Sequence, residues 1–322
     1  MKSGKLKVVS FIIGLLLFGF ILGLLAHQFK SYNFHAVMSY LKSIPLSRAG
    51  LAFLLTGVAY LVLTGYDYLA FQYIGHPLSF FRIAKASFIG YAFSHNLGFS
   101  MLTGAPVRYR LYSSWGISGV NIAKVVTFCL LTLFLGFMIV GGIVFLFEPP
   151  VMPRIIAARF PRMEPFGILC LVIVMCYLFW SWVQHKPLKF YKWEIPVPGP
   201  KLSIPQCFVS SMEWIITGSI LFVLLPSSVS LTYPWFLGIF LLAQVAGLIS
   251  QVPGGLGVFD SVIIFGLSPP LSEEKIIGAL LGFRFLFYLL PLIIASTIFV
   301  IHEILLKKKE IREMFQNKAS IN

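Results

Sequence analysis

The sequence predicts an all-α polytopic membrane protein on three observations. Hydrophobic residues make up 58% of the 322-residue chain and charged residues only 11%, whereas soluble domains hold about 45–50% apolar and about 25% charged residues. Apolar runs of bilayer-crossing length, about 17–25 residues, recur about eight times. Two of these runs end in Gly- and Pro-rich breaks, each followed by the restart of a short helix. The 25 Lys and Arg and 11 Asp and Glu are too few to coat a soluble fold of this size, and so apolar a chain is not disordered.

The runs fall at 8–27, 49–73, 80–100, 120–147, 166–183, 205–225, 233–250 and 276–305. A shorter piece at 258–268 cannot span. The first run follows Lys2, Lys5 and Lys7 and lacks a small-residue cleavage site, so it reads as a retained signal anchor. Residues 31–44 place Phe34, Val37, Met38, Leu41 and Ile44 on one helical face, ended by Pro45, as in a helix lying in the headgroup plane. Residues 149–165 carry Pro149, Pro150, Pro153, Pro161 and Pro165, so any helix there is short. Between His185 and Lys201, three lysines alternate with Phe190, Tyr191 and Trp193, the pattern of an interfacial belt. With no long hydrophilic stretch, residues 1–322 read as a single membrane domain without a soluble catalytic domain.

Both ends are basic: Lys2, Lys5 and Lys7 at one, Lys307, Lys308, Lys309 and Arg312 at the other. The positive-inside rule then expects both termini in the cytoplasm, an even number of spans, and Arg82, Lys85, Arg154, Arg159 and Arg162 in inner loops. Lys186, Lys189, Lys192 and Lys201 fall outside in that scheme, against the rule. A re-entrant 80–100 or 251–268 would change the count. The net charge of +14 suits anionic headgroups, and with no RNA-binding signature or recognition helix, nucleic acid is not an expected partner. The four cysteines all lie in apolar segments and read as small core residues.

Catalytic signatures such as HExxH, GxSxG, a P-loop or GxGxxG are absent, and the six histidines have no metal-ligand spacing, so neither metal nor cofactor is expected. The two breaks stand out instead. The first runs from Ser94 through Gly104, Ala105, Pro106, Arg108 and Arg110 to Tyr112. The second runs from Ser250 through Pro253, Gly254, Gly255 and Gly257 to Asp260. Irregular backbone at membrane depth is tolerated only inside protein or beside a water-filled cavity. A cut near residue 161 puts the breaks at matching places in two halves, the pattern that marks binding sites in transporters with a pseudo-repeat. The alternative is a pair of ordinary interfacial loops.

At the first break Thr103 can cap and Pro106 can take the first helical position, leaving N–H groups at a positive helix end. Arg108 and Arg110 add guanidinium groups suited to phosphate. Two residues apart they diverge, so one faces a shared pocket, unless both snorkel to lipid phosphates. Ala86, Gly90, Ser94 and Gly98 form a small-residue ridge for close helix packing. His95 and Asn96 follow on that helix and can satisfy backbone. Asp67, Glu213, Asp260, Arg284 and Lys124 are the other ionisable residues within or beside apolar segments. Their insertion cost demands a partner or a cavity, with Lys124 able to snorkel and Asp260 placed to complement a helix dipole. The acid that meets Arg284 is left open.

Leu102–Tyr112, Pro253–Asp260, and the stretches Phe88–Phe93 and Leu63–Asp67 resemble the lysylphosphatidylglycerol synthetase/flippase family, also called the multiple peptide resistance factor family. The resemblance covers nearly the whole chain and corresponds to the family's transmembrane flippase region. Full-length members add a soluble domain that transfers lysine or alanine from aminoacyl-tRNA to phosphatidylglycerol. The resemblance implies movement of that product across the bilayer, resistance to cationic peptides, a bacterial cytoplasmic membrane, and functional weight on Asp67, Arg110 and Glu213. Where members often carry Glu, this chain has Asp260, one methylene shorter. Standalone relatives are linked to other lipids.

The leading expectation is a phospholipid translocator, not an enzyme, with the headgroup held by Asp67, Arg108, Arg110, Glu213, Asp260 and Arg284 and rocking of the two halves exposing the site alternately. Phospholipids are then its partners, with a separately encoded lipid synthase or a homo-oligomer as further options. One alternative is a non-transporting subunit that docks such a synthase. Another is a membrane transferase with His95 as base.

Overall fold

A computed structural model describes residues 34–97, 104–149, 162–183, 188–190, 193–195, 197–226, 231–268 and 270–319. The expected signal anchor 8–27, and with it Thr103, Gly98, Arg154 and Arg159, lies outside these residues. The described chain is helical apart from one small hairpin. In order come α1 (Phe34–Ser43), α2 (Leu46–Tyr73), α3 (Phe80–Leu97), α4 (Ala105–Ser114), α5 (Gly119–Phe147) and α6 (Glu164–Val183). Strands β1 (Leu188–Phe190) and β2 (Trp193–Ile195) pair antiparallel in the stretch read as an interfacial belt. Then follow α7 (Pro200–Leu224), α8 (Tyr233–Ser250), a 3₁₀ turn (Pro253–Gly255), α9 (Val258–Leu267) and α10 (Glu273–Phe283). A π-helical segment (Arg284–Leu289) joins α10 to α11 (Leu290–Ala319).

Among the described residues six helical stretches are long and apolar enough to cross a membrane: α2, α5, α6, α7, α8 and the continuous rod Glu273–Lys308. They match six of the eight expected runs. The run at 80–100 forms α3, which has the 18-residue length of α8 but carries Arg82, Lys85, His95 and Asn96 and is not apolar enough to count as a span. The piece expected at 258–268 is α9, only 10 residues long. This is an all-α polytopic membrane fold.

Helix α2 packs along α7, and α5 packs against both α6 and α7. Glycines set these crossings: a Cβ on Gly136 of α5 would lie 2.4 Å from the Ser210 carbonyl oxygen of α7. Outward-facing side chains are large and apolar, including Leu54, Phe179, Trp182 and Ile249, while Asp67, Arg108 and Asp260 are buried. That inversion suits a chain whose solvent is lipid. Helix α1 packs on α10 through buried Val37, and the Tyr40 hydroxyl donates to the Leu224 carbonyl at 2.8 Å.

The π segment has a local cause. Pro291 follows it by two residues and brings no N–H to the helix ladder, so carbonyls one turn earlier need other donors. The Tyr60 hydroxyl of α2 donates to the Phe287 carbonyl at 3.2 Å, and the Asn96 side-chain amide of α3 donates to the Tyr288 carbonyl at 3.1 Å. The widened turn is thereby tied to both neighbours.

Candidate functional site: a buried polar tract between two broken helices

Each break is a helical hairpin in which a short helix folds against the long one before it: α4 against α3, and α9 against α8. The first hairpin closes tightly. A Cβ on Gly104 would lie 2.1 Å from Ser94 Oγ and 2.7 Å from the Gly90 carbonyl oxygen, and one on Gly90 would lie 3.0 Å from the Arg108 guanidinium carbon. The small-residue ridge of α3 is therefore the bed on which α4 and Arg108 lie. Helix α4 begins at Ala105, with Pro106 in its second position and Gly104 at the N-cap without a side-chain cap. Pro106 stands one place further in than the sequence pattern suggests.

Arg108 is fully enclosed and chelates Asp67 of α2, with Nε donating to Oδ1 at 3.0 Å and Nη2 to Oδ2 at 3.1 Å. The Tyr112 hydroxyl donates to the same Oδ1 at 2.8 Å. The Tyr91 ring lies under the guanidinium, 4.3 Å from its carbon, adding a cation–π contact in a desolvated place. The geometry is bidentate and carboxylate-matched, the arrangement a buried ion pair needs to offset desolvation.

The second hairpin turns through left-handed backbone, with φ of 58° at Gln251, 59° at Gly254, 62° at Gly255 and 81° at Gly257. Val252 before Pro253 is extended, as proline requires. Only glycine takes the Gly254 and Gly257 conformations without a Cβ penalty, and Gly254 brings backbone to the last carbonyls of α3, where a Cβ would lie 3.7 Å from the His95 oxygen and 3.8 Å from that of Asn96. The two breaks therefore touch. Asp260 accepts the Gly257 N–H at 3.0 Å and meets Arg284, whose Nη2 lies 2.8 Å from both carboxylate oxygens. Arg284 Nη1 also donates to the Gly254 carbonyl at 3.1 Å. The acid left open for Arg284 is thus Asp260, and one methylene fewer than Glu does not prevent a close bidentate pair.

Glu213 of α7 stands apart from both pairs. It is 4% exposed, accepts the Thr217 hydroxyl at 2.9 Å on Oε1, and has no partner on Oε2. The Tyr66 side chain neighbours the carboxylate, but its hydroxyl falls short of hydrogen-bond alignment. Tyr66 in turn packs edge-on to Tyr91, ring centres 6.2 Å apart. Tyr288 lies within electrostatic reach of Glu213, Asp260 and Arg284 together. Five buried polar atoms without hydrogen-bond partners, Tyr66 Oη, Tyr91 Oη, Ser94 Oγ, His95 Nδ1 and Glu213 Oε2, belong to this connected set. Native interiors satisfy nearly all such atoms, so their concentration here sets this tract apart from the rest of the described interior.

Of the six sequence-predicted site residues, five join this tract. Arg110 does not. It points away from Arg108, as their spacing requires, and chelates Glu303 of α11 at 2.8 and 2.9 Å near the surface. Lys124, in the first turns of α5, also stays outside the tract. His95 stacks on Phe287 with ring centres 5.0 Å apart and sits among Tyr60, Tyr91 and Tyr288, an aromatic enclosure with no carboxylate to orient a catalytic base. Sequence reasoning missed Tyr66, Tyr91 and Tyr288. The Tyr66-Asp67-Tyr68 cluster was the one available signal.

The family model for the lysylphosphatidylglycerol synthase TM region matches residues 9–295. An uncharacterized protein of Synechocystis is 38% identical over 307 residues, covering 95% of each chain. Inner membrane protein YbhN of Escherichia coli is 33% identical over 253 residues, covering 78% of this chain and 79% of its own. Phosphatidylglycerol lysyltransferase of Staphylococcus haemolyticus is 26% identical over 297 residues, covering 92% of this chain but 34% of its own, so the chain spans about a third of that enzyme. With the match running through both hairpins and every residue of the polar tract, the chain belongs to the lysylphosphatidylglycerol synthase TM region family.

Proposed function

We propose that the chain translocates a phospholipid between leaflets, with the polar tract receiving the headgroup. The observation that carries this reading is Glu213: a buried carboxylate with no cationic partner among the described residues, linked through Tyr66 and Tyr91 to one Arg–Asp pair and through Tyr288 to the other. A buried acid without a counter-charge is costly, and a headgroup ammonium would supply one. The uncapped start of α4 presents backbone N–H groups beside Arg108, where a phosphate gains from the helix dipole. Such a tract complements a headgroup bearing a phosphate and an amine, as aminoacylated phosphatidylglycerol does. The family description and the lysyltransferase relatives favour lysyl-phosphatidylglycerol as cargo, with lowered sensitivity to cationic peptides as the consequence. YbhN, named as an inner membrane protein, favours the cytoplasmic membrane as location.

In this reading the chain moves lipid and makes no covalent bond. The Asp67–Arg108 and Asp260–Arg284 pairs position the broken helices, and Glu213 holds the moving charge. The test is reconstitution into vesicles containing fluorescent lysyl-phosphatidylglycerol, followed by quenching of the outer leaflet. Wild-type protein should exchange the label between leaflets well above the rate of empty vesicles, and Glu213→Gln should lose most of that rate while keeping its melting temperature. Exchange at the empty-vesicle rate by folded wild-type protein would sink the proposal.

A further inference from the structure

Arg110, left out of the polar tract, belongs to a second charged cluster. It forms where α3 begins, α4 ends and α11 leaves its apolar stretch for Lys307 and Lys308. Lys85 Nζ lies 3.0 Å from His302 Nδ1. An ammonium can only donate, so Nδ1 is the acceptor and the proton of a neutral ring sits on Nε2. That Nε2 donor is buried and unpartnered, on a residue 8% exposed. The Arg82 guanidinium lies 5.9 Å from the centre of the Trp115 ring and has no carboxylate partner among the described residues, while the His302 ring lies 5.8 Å from the same indole. Glu303 is chelated by Arg110. Among the described residues Arg82, Lys85 and Arg110 gather around the Glu303 carboxylate, with exposed Lys307 and Lys308 one turn beyond.

We propose that this cluster binds the phosphodiester of an anionic phospholipid at one membrane surface, as a fixed lipid that clamps α3, α4 and α11 together. Arg82 and Lys85 would take the phosphate oxygens, with His302 Nδ1 holding the Lys85 ammonium in place, and Trp115 would lie along the glycerol region, where indole rings favour the interface. Basic pockets between helices at the headgroup level select anionic lipids on these grounds. Plain positive-inside topology accounts for exposed lysines, but not for a half-buried lysine held on a buried histidine beside an arginine that has no carboxylate partner among the described residues. The inference rests on this cluster alone and stands whether or not the polar tract moves lipid.

The test is native mass spectrometry together with thermal unfolding of the detergent-solubilised, delipidated chain. The chain is titrated separately with dioleoyl-phosphatidylglycerol, dioleoyl-phosphatidylcholine and inorganic phosphate. Phosphatidylglycerol should form a retained adduct and raise the melting temperature, with little effect from the other two. Arg82→Gln and Lys85→Gln should each weaken the phosphatidylglycerol response about fivefold, and Lys201→Gln, on the exposed first turn of α7, should leave it intact. Arg82 is exposed, so its variant folds and reads binding alone. Wild-type binding by both cluster variants, an equal loss in Lys201→Gln, or a response to inorganic phosphate equal to that to lipid would each overturn the proposal.

Discussion

The two broken hairpins look alike in sequence and differ in electrical design. In the first, the short helix α4 carries the cation, and the acid comes from α2. In the second, the short helix α9 carries the acid, and the cation comes from the π segment. Asp260 in the first turn of α9 complements the helix dipole and accepts the Gly257 N–H, so the second break is balanced by its own residues. Arg108 stands near the N-terminus of α4, where the dipole opposes a cation, and no side chain among the described residues caps that helix. The unpartnered Tyr91, Ser94 and His95 atoms lie on α3 beside it. One hairpin is balanced by an acid in its own first turn, and the other draws its acid from a distant helix.

That contrast can be broken at several strengths. The largest expected effect is Arg108→Gln, which strands Asp67 as a buried charge and should cost about 3–5 kcal/mol, read as a lower melting temperature in detergent. Adding Asp67→Asn should recover much of it. Arg284→Gln should cost less, because Asp260 keeps its backbone donor and sits at a helix start that favours an acid, whereas Asp67 keeps the Tyr112 hydroxyl without a helix start. Equal losses at the two arginines would refute the asymmetry.

Next come the glycines, which should fail for different reasons. Gly104→Ala meets Ser94 Oγ and the Gly90 carbonyl and should cost about 1–3 kcal/mol by crowding, eased by Ser94→Gly. Gly254→Ala has room around its Cβ but a φ of 59°, for about 1–2 kcal/mol that no neighbouring truncation relieves. Chemical unfolding of the single and paired variants separates the two causes. Smallest is Asp260→Glu, expected to keep the Arg284 pair at a cost below about 1.5 kcal/mol. A larger loss would mean that the length of this carboxylate sets the turn.

Much of this architecture was legible because lipid imposes crude rules: a span must be long and apolar, and a charge inside it must answer to something. Six of the eight apolar runs, the two breaks and five of the six predicted site residues, those that the structure brings into the tract, were legible that way. The pairings did not. Asp67 and Arg108 are 41 residues apart and Arg110 and Glu303 are 193 apart, and nothing local in a sequence encodes which distant helix comes alongside. Glu303 drew no notice because it sits where a basic tail begins. The tyrosines were invisible for another reason: an amphipathic ring reads as core until a neighbour shows where its hydroxyl ends. Pro291, two residues past the π segment, is the local sequence signal for it.

That segment sets the phase of the last helix. Each α-helical residue advances about 100° and about 1.5 Å, so one extra residue in a wide turn offsets every side chain beyond it by about a quarter revolution. Arg284 lies before the offset and Glu303 after it, about 28 Å apart along one rod, nearly the thickness of a bilayer's hydrocarbon core. If the wide turn tightened to ordinary α-helix while Arg284 held Asp260, Glu303 and His302 would swing out of line with Arg110 and Lys85. The rod is a keyed shaft, and its two ends can be engaged together only in the register that Tyr60 and Asn96 hold.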